Sequence, residues 1–215
     1  MRAQKRCTRG HARVGCQPLI GMQIMFSPDG ERLLSLGKDG YIHVHDVLQV
    51  YMPSKVLALA PTKVLSAAMA MSADGGLLAA SVRVAGQAFS SILLYSGSCL
   101  RSGTGDWHAP RTSMSHASVD VGPQSKPQFR VETETPSFDC LAFSADGHLW
   151  AATSDHKLEK YCSSSGKLLT IVNAMHRDTI QTLSAHPSSP LLLTGGFDSL
   201  LKLWDVSRYN FFMPP

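Results

Sequence analysis

The sequence predicts an all-β protein assembled from about four copies of one small unit. Three observations predict it: a strand-and-turn pattern that recurs along the chain, a constant spacing from an aspartate to a ring residue, and intervals of 45, 72 and 42 residues between the anchors Phe26, Met71, Phe143 and Ala185.

The recurring pattern is Ile24-Met25-Phe26-Ser27-Pro28-Asp29-Gly30, then Met69-Ala70-Met71-Ser72-Ala73-Asp74-Gly75, then Leu141-Ala142-Phe143-Ser144-Ala145-Asp146-Gly147, with a worn copy at Leu183-Ser184-Ala185-His186-Pro187. The apolar residues recur with the period of a half-buried strand, and the Asp-Gly pair supplies the positive φ of a tight reversal. A second apolar strand follows each turn. After it come an aspartate and, six residues on, a ring: Asp39 with His45, Asp155 with Tyr161, Asp198 with Trp204.

The outer intervals match the roughly 40 to 45 residues of a four-stranded propeller blade. The middle one exceeds a blade by roughly thirty residues. The excess lies in residues 96–136, rich in Ser, Gly, Pro and Thr, which reads as a loop inserted between two blades; residues 97–135 are expected to be disordered. Strands are expected to start near Gly21, Arg32, Tyr41, Ser66, Leu77, Ser91, Phe138, Leu149, Lys157, Lys167, Ile180, Leu191 and Leu200.

The last copy, with His176, Thr194, Asp198 and Trp204 in Leu191-Leu192-Leu193-Thr194-Gly195-Gly196-Phe197-Asp198 and the strand ending Trp204-Asp205, resembles a complete WD40 repeat. The resemblance implies a buried hydrogen-bonded chain in which Asp198 fixes His176, which meets Thr194, which meets the Trp204 indole. The other copies depart from that pattern. The first has Ser35 and Asp39 but His45 in the tryptophan slot and Gln17 where the leading histidine falls. The second has Tyr95 as its ring and Phe89 in place of the aspartate, and the third has Asp155 and Tyr161 with Glu134 leading. The implied fold is a WD40 β-propeller of about four blades, incomplete or partial: a basic arm at 1–17, disordered by composition, blades over 18–206, and a tail at 207–215. The fourth blade is expected to stop after its third strand.

Charge and chemistry narrow the function. With 44% apolar and 17% charged residues the chain is globular in character. The net charge of +4 belongs to the arm, where Arg2, Lys5, Arg6, Arg9 and Arg13 leave 15 basic against 16 acidic residues elsewhere. No apolar run is long enough for a membrane span or a secretory leader. Five cysteines, Cys7, Cys16, Cys99, Cys140 and Cys162, show neither zinc nor disulfide spacing and fit a reduced intracellular compartment. His43 and His45 share a strand face but gain no further ligand from sequence. No phosphate-binding glycine loop or nucleophile elbow occurs, and the conspicuous aspartates all have places in turns or in the blade network. No catalysis, cofactor, metal or small-molecule substrate is expected.

The resemblance implies a scaffold that binds other proteins through its blade rims, with Lys38, Gly40, Arg177, Asp178, Phe197 and Ser199 as candidate contacts. The divergent repeats and long insertion are similar to those of the large WD-repeat proteins of centrioles and cilia, which implies tubulin or centriolar proteins as partners. The competing reading is a nuclear scaffold whose basic arm contacts RNA or DNA.

Overall fold

Alternating apolar residues and short turns fold each copy into a meander of antiparallel strands. The computed structural model describes residues 21–48, 55–60, 64–100, 127–173, 176–207 and 210–212. Within them lie sixteen strands in four separate sheets, each ordered as the chain runs.

Blade 1 consists of β1 (Gly21–Phe26), β2 (Arg32–Gly37), β3 (Tyr41–Asp46) and β4 (Lys55–Ala58); blade 2 of β5 (Val64–Met71), β6 (Leu77–Val84), β7 (Ser91–Ser96) and β8 (Phe129–Glu132). Blade 3 consists of β9 (Phe138–Phe143), β10 (Leu149–Thr153), β11 (Leu158–Tyr161) and β12 (Leu168–Val172); blade 4 of β13 (Ile180–Ala185), β14 (Leu191–Gly196), β15 (Leu201–Asp205) and β16 (Asn210–Phe212). A 3-10 turn at Gly97–Leu100 is the helical element among the described residues. The first strands are innermost, β5 lying against β1 and β9, and β9 against β13. The result is part of a β-propeller.

The repeated turn explains why blades 1 to 3 begin alike. Ser27, Ser72 and Ser144 each donate their hydroxyl to the aspartate two residues on. Those aspartates in turn accept the backbone N–H of Glu31, Gly76 and His148. Side chain and backbone thus satisfy one another in a reversal that the glycines at Gly30, Gly75 and Gly147 complete with φ of 74°, 68° and 77°.

The core lies between blades. One buried cluster joins Leu34, Leu36, Ile42 and Val44 of blade 1 to blade 2, where Met69, Leu78, Leu93 and Tyr95 receive them. A second joins Ala79, Ile92 and Leu94 of blade 2 to Leu141, Leu149 and Tyr161 of blade 3. In the third, Trp150, Ala152 and Leu158 of blade 3 meet Leu183, Leu192 and Val206 of blade 4. Each sheet therefore buries its apolar residues where a neighbouring sheet covers it, at three junctions between the four blades. Gln23 adds a polar link between blades: its amide donates to the Met69 carbonyl at 2.9 Å and accepts the Met69 N–H at 2.7 Å, imitating a strand partner.

Three expectations need correction. The long connection does not lie between blades. It lies inside blade 2, between β7 and β8, and β8 falls within the stretch 97–135 that composition marked as disordered. The ladder to β7 orders residues that composition alone would leave unstructured. The fourth blade does not end at its third strand, because Asn210–Phe212, assigned to a tail, pairs with β15. Finally, the outer strand of blade 1, Lys55–Ala58, was not expected at all. The basic arm at 1–17 and residues 101–126 lie outside the described residues.

Candidate protein-interaction site

At one end of blade 4, the loop leading into β13 and the β14–β15 turn are locked together. The Asp198 carboxylate accepts from His176 Nδ1 at 2.8 and 3.0 Å and from the backbone N–H of Arg177 and Leu200 at 3.0 and 3.2 Å. His176 Nε2 lies 2.7 Å from Thr194 Oγ1, and the Trp204 indole N–H donates to that same oxygen at 2.9 Å. The donors set the tautomer: with Nδ1–H directed at the carboxylate, Nε2 accepts the Thr194 hydroxyl, whose oxygen is free to take the indole. The structure thus brings His176, Thr194, Asp198 and Trp204 into one chain, with His176 and Thr194 buried.

Burial opposes the charge on Asp198, but the imidazole and the two N–H donors outweigh it and hold the carboxyl at about 2. Gly196 makes the approach possible: a Cβ there would stand 2.7 Å from His176 Nδ1 and 2.9 Å from Asp198 Oδ1.

The other blades fill the same slots differently. In blade 1, Asp39 faces His43 Nε2 at 3.3 Å, and His45, in register with Trp204, stacks beside His43 with 6.5 Å between ring centroids. The aspartate has turned to an imidazole on its own sheet. In blade 3 the leading residue that engages is Thr135, not Glu134. Its hydroxyl donates to Glu159 Oε1 at 2.8 Å, and the Tyr161 hydroxyl donates to Glu159 Oε2 at 2.6 Å. Desolvation, together with the Glu159 carboxylate, raises the Tyr161 pKa and keeps the phenol protonated. Asp155, expected in the network, pairs instead with Lys157 at the surface. In blade 2, Phe89 is exposed and Tyr95 reaches the Ala58 carbonyl of blade 1 at 3.5 Å.

Several side chains drew no attention in the sequence. Lys160 is buried, ion-paired to Asp146 at 2.8 Å and placed 5.5 Å above the Trp150 ring. That pair is invisible to strand periodicity because Lys160 occupies a position that alternation reads as polar surface. The Cys162 thiol is drawn down to about 6 by the Ser164 and Ser165 hydroxyls and their N–H groups, whereas burial pushes Cys140 up to about 12. A run of serines after a cysteine was the available signal for the first. Among the described residues, no group of three His, Cys, Asp or Glu could hold a metal ion, and no helix is long and apolar enough to cross a membrane.

The rim candidates occupy equivalent places in blades 1 and 4. Lys38 is exposed in the β2–β3 turn, and Arg177, Asp178, Phe197 and Ser199 are exposed around the blade 4 lock. Phe197 presents 65% of its surface to solvent, while its N–H is tied to the Thr179 carbonyl at 3.0 Å. Asp178 accepts the Thr179 N–H, and Ser199 sits at φ 63°. Gly40 is the exception: it is buried, with φ 82°, and its carbonyl accepts from Leu59, so it shapes the turn and offers no contact surface.

Comparison with known proteins agrees with this geometry. The family model "WD domain, G-beta repeat" matches residues 3–46 and 166–205. "Centriole proteome protein 16" of Chlamydomonas reinhardtii is 30% identical over 183 residues, which is 85% of this chain and 8% of that protein. A crystal structure of RRP9 WD40 repeats superposes with a TM-score of 0.69 at 18% identity, covering 96% of this chain and 52% of the other. A structure of U3-55K gives 0.69 and 18%, covering 96% and 53%. The chain therefore spans a small part of its curated relative and about half of these structures. With the repeat model matched in its first and last blades and the four sheets superposing on WD40 structures, the chain carries WD40 repeats and has the fold of a partial WD40 β-propeller.

Proposed function

We propose that the chain is a non-catalytic protein-binding scaffold working in a centriolar assembly, with the blade 1 and blade 4 turns as its contact surface. The observation that carries the reading is the exposed Phe197, flanked by Arg177, Asp178 and Ser199, on a turn that the His176–Asp198 lock holds in place. An aromatic and an arginine presented on a rigid support are what a partner protein uses as anchors, since little conformational freedom remains to be lost on binding. The likeness to a centriole proteome protein supports the compartment, and tubulin or a centriolar protein is the partner class proposed with it.

The test is affinity purification from ciliated cells of the intact chain and of Arg177→Ala/Phe197→Ala, quantifying tubulin and centriolar proteins. Enrichment by the intact chain that falls at least several-fold in the variant is the expected result. Equal recovery by both would overturn the rim assignment, and recovery of RNA-bound nuclear proteins in place of centriolar ones would overturn the compartment.

A further inference from the structure

The first strands of the four blades wall a polar cavity of about 230 Å³ on the inner side of the arc. Gln23 of β1, Ala67 of β5, Asp139, Cys140 and Leu141 of β9, and Gln181 of β13 contribute to its lining, and no lysine or arginine does. Asp139 and Gln181 reach it by the same device. The ladder to the second strand steps from Cys140 to Phe138 in blade 3 and from Thr182 to Ile180 in blade 4, so Asp139 and Gln181 each occupy a β-bulge. A bulge turns a side chain out of the alternation that the pleat imposes. In blade 2 the skipped residue is Leu65. Of these three blades, blade 3 alone puts a charge at the bulge.

That charge has no partner. Asp139 Oδ2 is buried and accepts no hydrogen bond from any described residue. Its neighbours on the wall are engaged elsewhere: both ends of the Gln23 amide bond the Met69 backbone, and the Cys140 thiol is directed at the Ile180 carbonyl. His156 lies near enough for its charge to favour the carboxylate, yet its Nδ1 is itself buried without a partner among the described residues. Burial pushes the Asp139 carboxyl up and outweighs the opposing effect of His156. The Gln181 side chain is exposed at the cavity and bonds no described residue.

We propose that this cavity is a subsite for the guanidinium of an arginine carried by a partner protein, with Asp139 as counter-charge and the Gln181 amide oxygen as a further acceptor. A carboxylate that has lost part of its hydration on folding and gained no donor in exchange attracts a cation more strongly than an exposed one, because less desolvation remains to oppose the contact. A guanidinium suits the wall better than an ammonium: it is planar, more weakly hydrated, and its five donors can serve the carboxylate and the amide together. The volume is below the roughly 300–1,000 Å³ of a site for a drug-sized molecule, which favours a single side chain as occupant. The subsite lies on the first strands and does not depend on binding at the Phe197 rim.

The experiment is an NMR titration of the isotope-labelled intact chain with acetyl-Gly-Arg-Gly-amide at neutral pH, following the Asp139 carboxyl and the amide signals of β9 and β13. A saturable shift of those signals is expected. The same peptide with citrulline in place of arginine keeps the shape without the charge and should bind roughly tenfold more weakly or not at all. Asp139→Asn should weaken the arginine peptide by roughly tenfold or more, and Gln181→Ala by severalfold. Glu132→Gln, which removes an exposed carboxylate outside the cavity, should leave the affinity unchanged. Amide signals of blade 1 verify that each variant is folded, and the citrulline and Gln181→Ala arms decide the matter if Asp139→Asn is not. Absence of a saturable shift, equal binding of the citrulline peptide, or equal losses from Asp139→Asn and Glu132→Gln would overturn the proposal.

Discussion

Blades 3 and 4 have one architecture and two solutions to the same polar problem. In blade 4 the carboxylate comes from the turn, at Asp198, and reaches the sheet through an imidazole; in blade 3 it comes from the third strand, at Glu159, and takes two hydroxyls directly. Both arrangements tie the loop leading into the blade to the ring on the third strand. What the fold demands at this place is a satisfied donor–acceptor chain, and the residues that supply it can change. The blades differ more sharply in packing: Trp150 is covered by blade 4, while its counterpart Leu193 faces solvent.

The packing contrast gives the largest expected effect. Trp150→Ala should destabilise the chain by about 3–5 kcal/mol, the usual result of emptying a large core site, and Leu201→Ala, at a side chain 72% exposed, by no more than about 0.5 kcal/mol. Denaturant unfolding of the two variants measures both, and comparable losses would erase the distinction between covered and open faces.

Next in size is the blade 4 lock. Asp198→Ala strands the buried imidazole and should cost about 1–3 kcal/mol. The same carboxylate makes a pH prediction. Its folded value of about 2 lies below its ordinary 3.8, so between the two the unfolded chain holds the extra proton. The contribution is complete above 3.8 and drains away as pH falls toward 2. Asp146, also held at about 2 against the opposition of burial by Lys160 and Ser144, titrates in that window; the difference in melting temperature between the intact chain and Asp198→Asn across the window isolates the blade 4 share.

Blade 3 should be less sensitive to the loss of one partner. Tyr161→Phe leaves Glu159 bonded to Thr135 and should cost about 1 kcal/mol. A loss as large as that of Asp198→Ala would show that the two chains are equally cooperative. Smallest is Lys38→Ala on the rim, expected within about 0.5 kcal/mol of the intact chain by thermal unfolding.

How legible these features were depended on local pattern. The inner and middle strands announce themselves because their apolar residues recur in short runs that an adjoining blade covers on at least one face, and the Ser-x-Asp-Gly turn, with the N–H that follows it, is a chemical unit complete in five residues. The outer strands do not. Phe129-Arg130-Val131-Glu132 is largely exposed, so its apolar residues carry no periodic demand, and it is a strand because its backbone pairs with β7. Lys55–Ala58 and Asn210–Phe212 are similarly short edge strands held by one ladder. The blade 4 lock was readable because His, Thr, Asp and Trp stand at family spacing. The blade 3 chain was hidden, since Glu159 two residues before Tyr161 looks like the solvent side of an ordinary strand.

The excursion inside blade 2 bears on the order in which the propeller assembles. Blades 1, 3 and 4 can zip hairpin by hairpin from strands that are sequence neighbours, but β8 must find β7 across residues 97–128. By chain-entropy arguments, closing so long a connection costs about 2 kcal/mol more than closing a tight turn, and contacts distant in sequence form late. Once docked, β8 is retained by bonds that flank its ladder: the Thr133 hydroxyl donates to the Ser90 carbonyl at 2.7 Å, the Ser90 N–H to Thr135 at 2.9 Å and the Ser91 hydroxyl to Glu132 at 2.8 Å. Because Thr135 also bonds Glu159, the arrival of that strand adds a polar tie between blade 2 and blade 3 to the packing they already share.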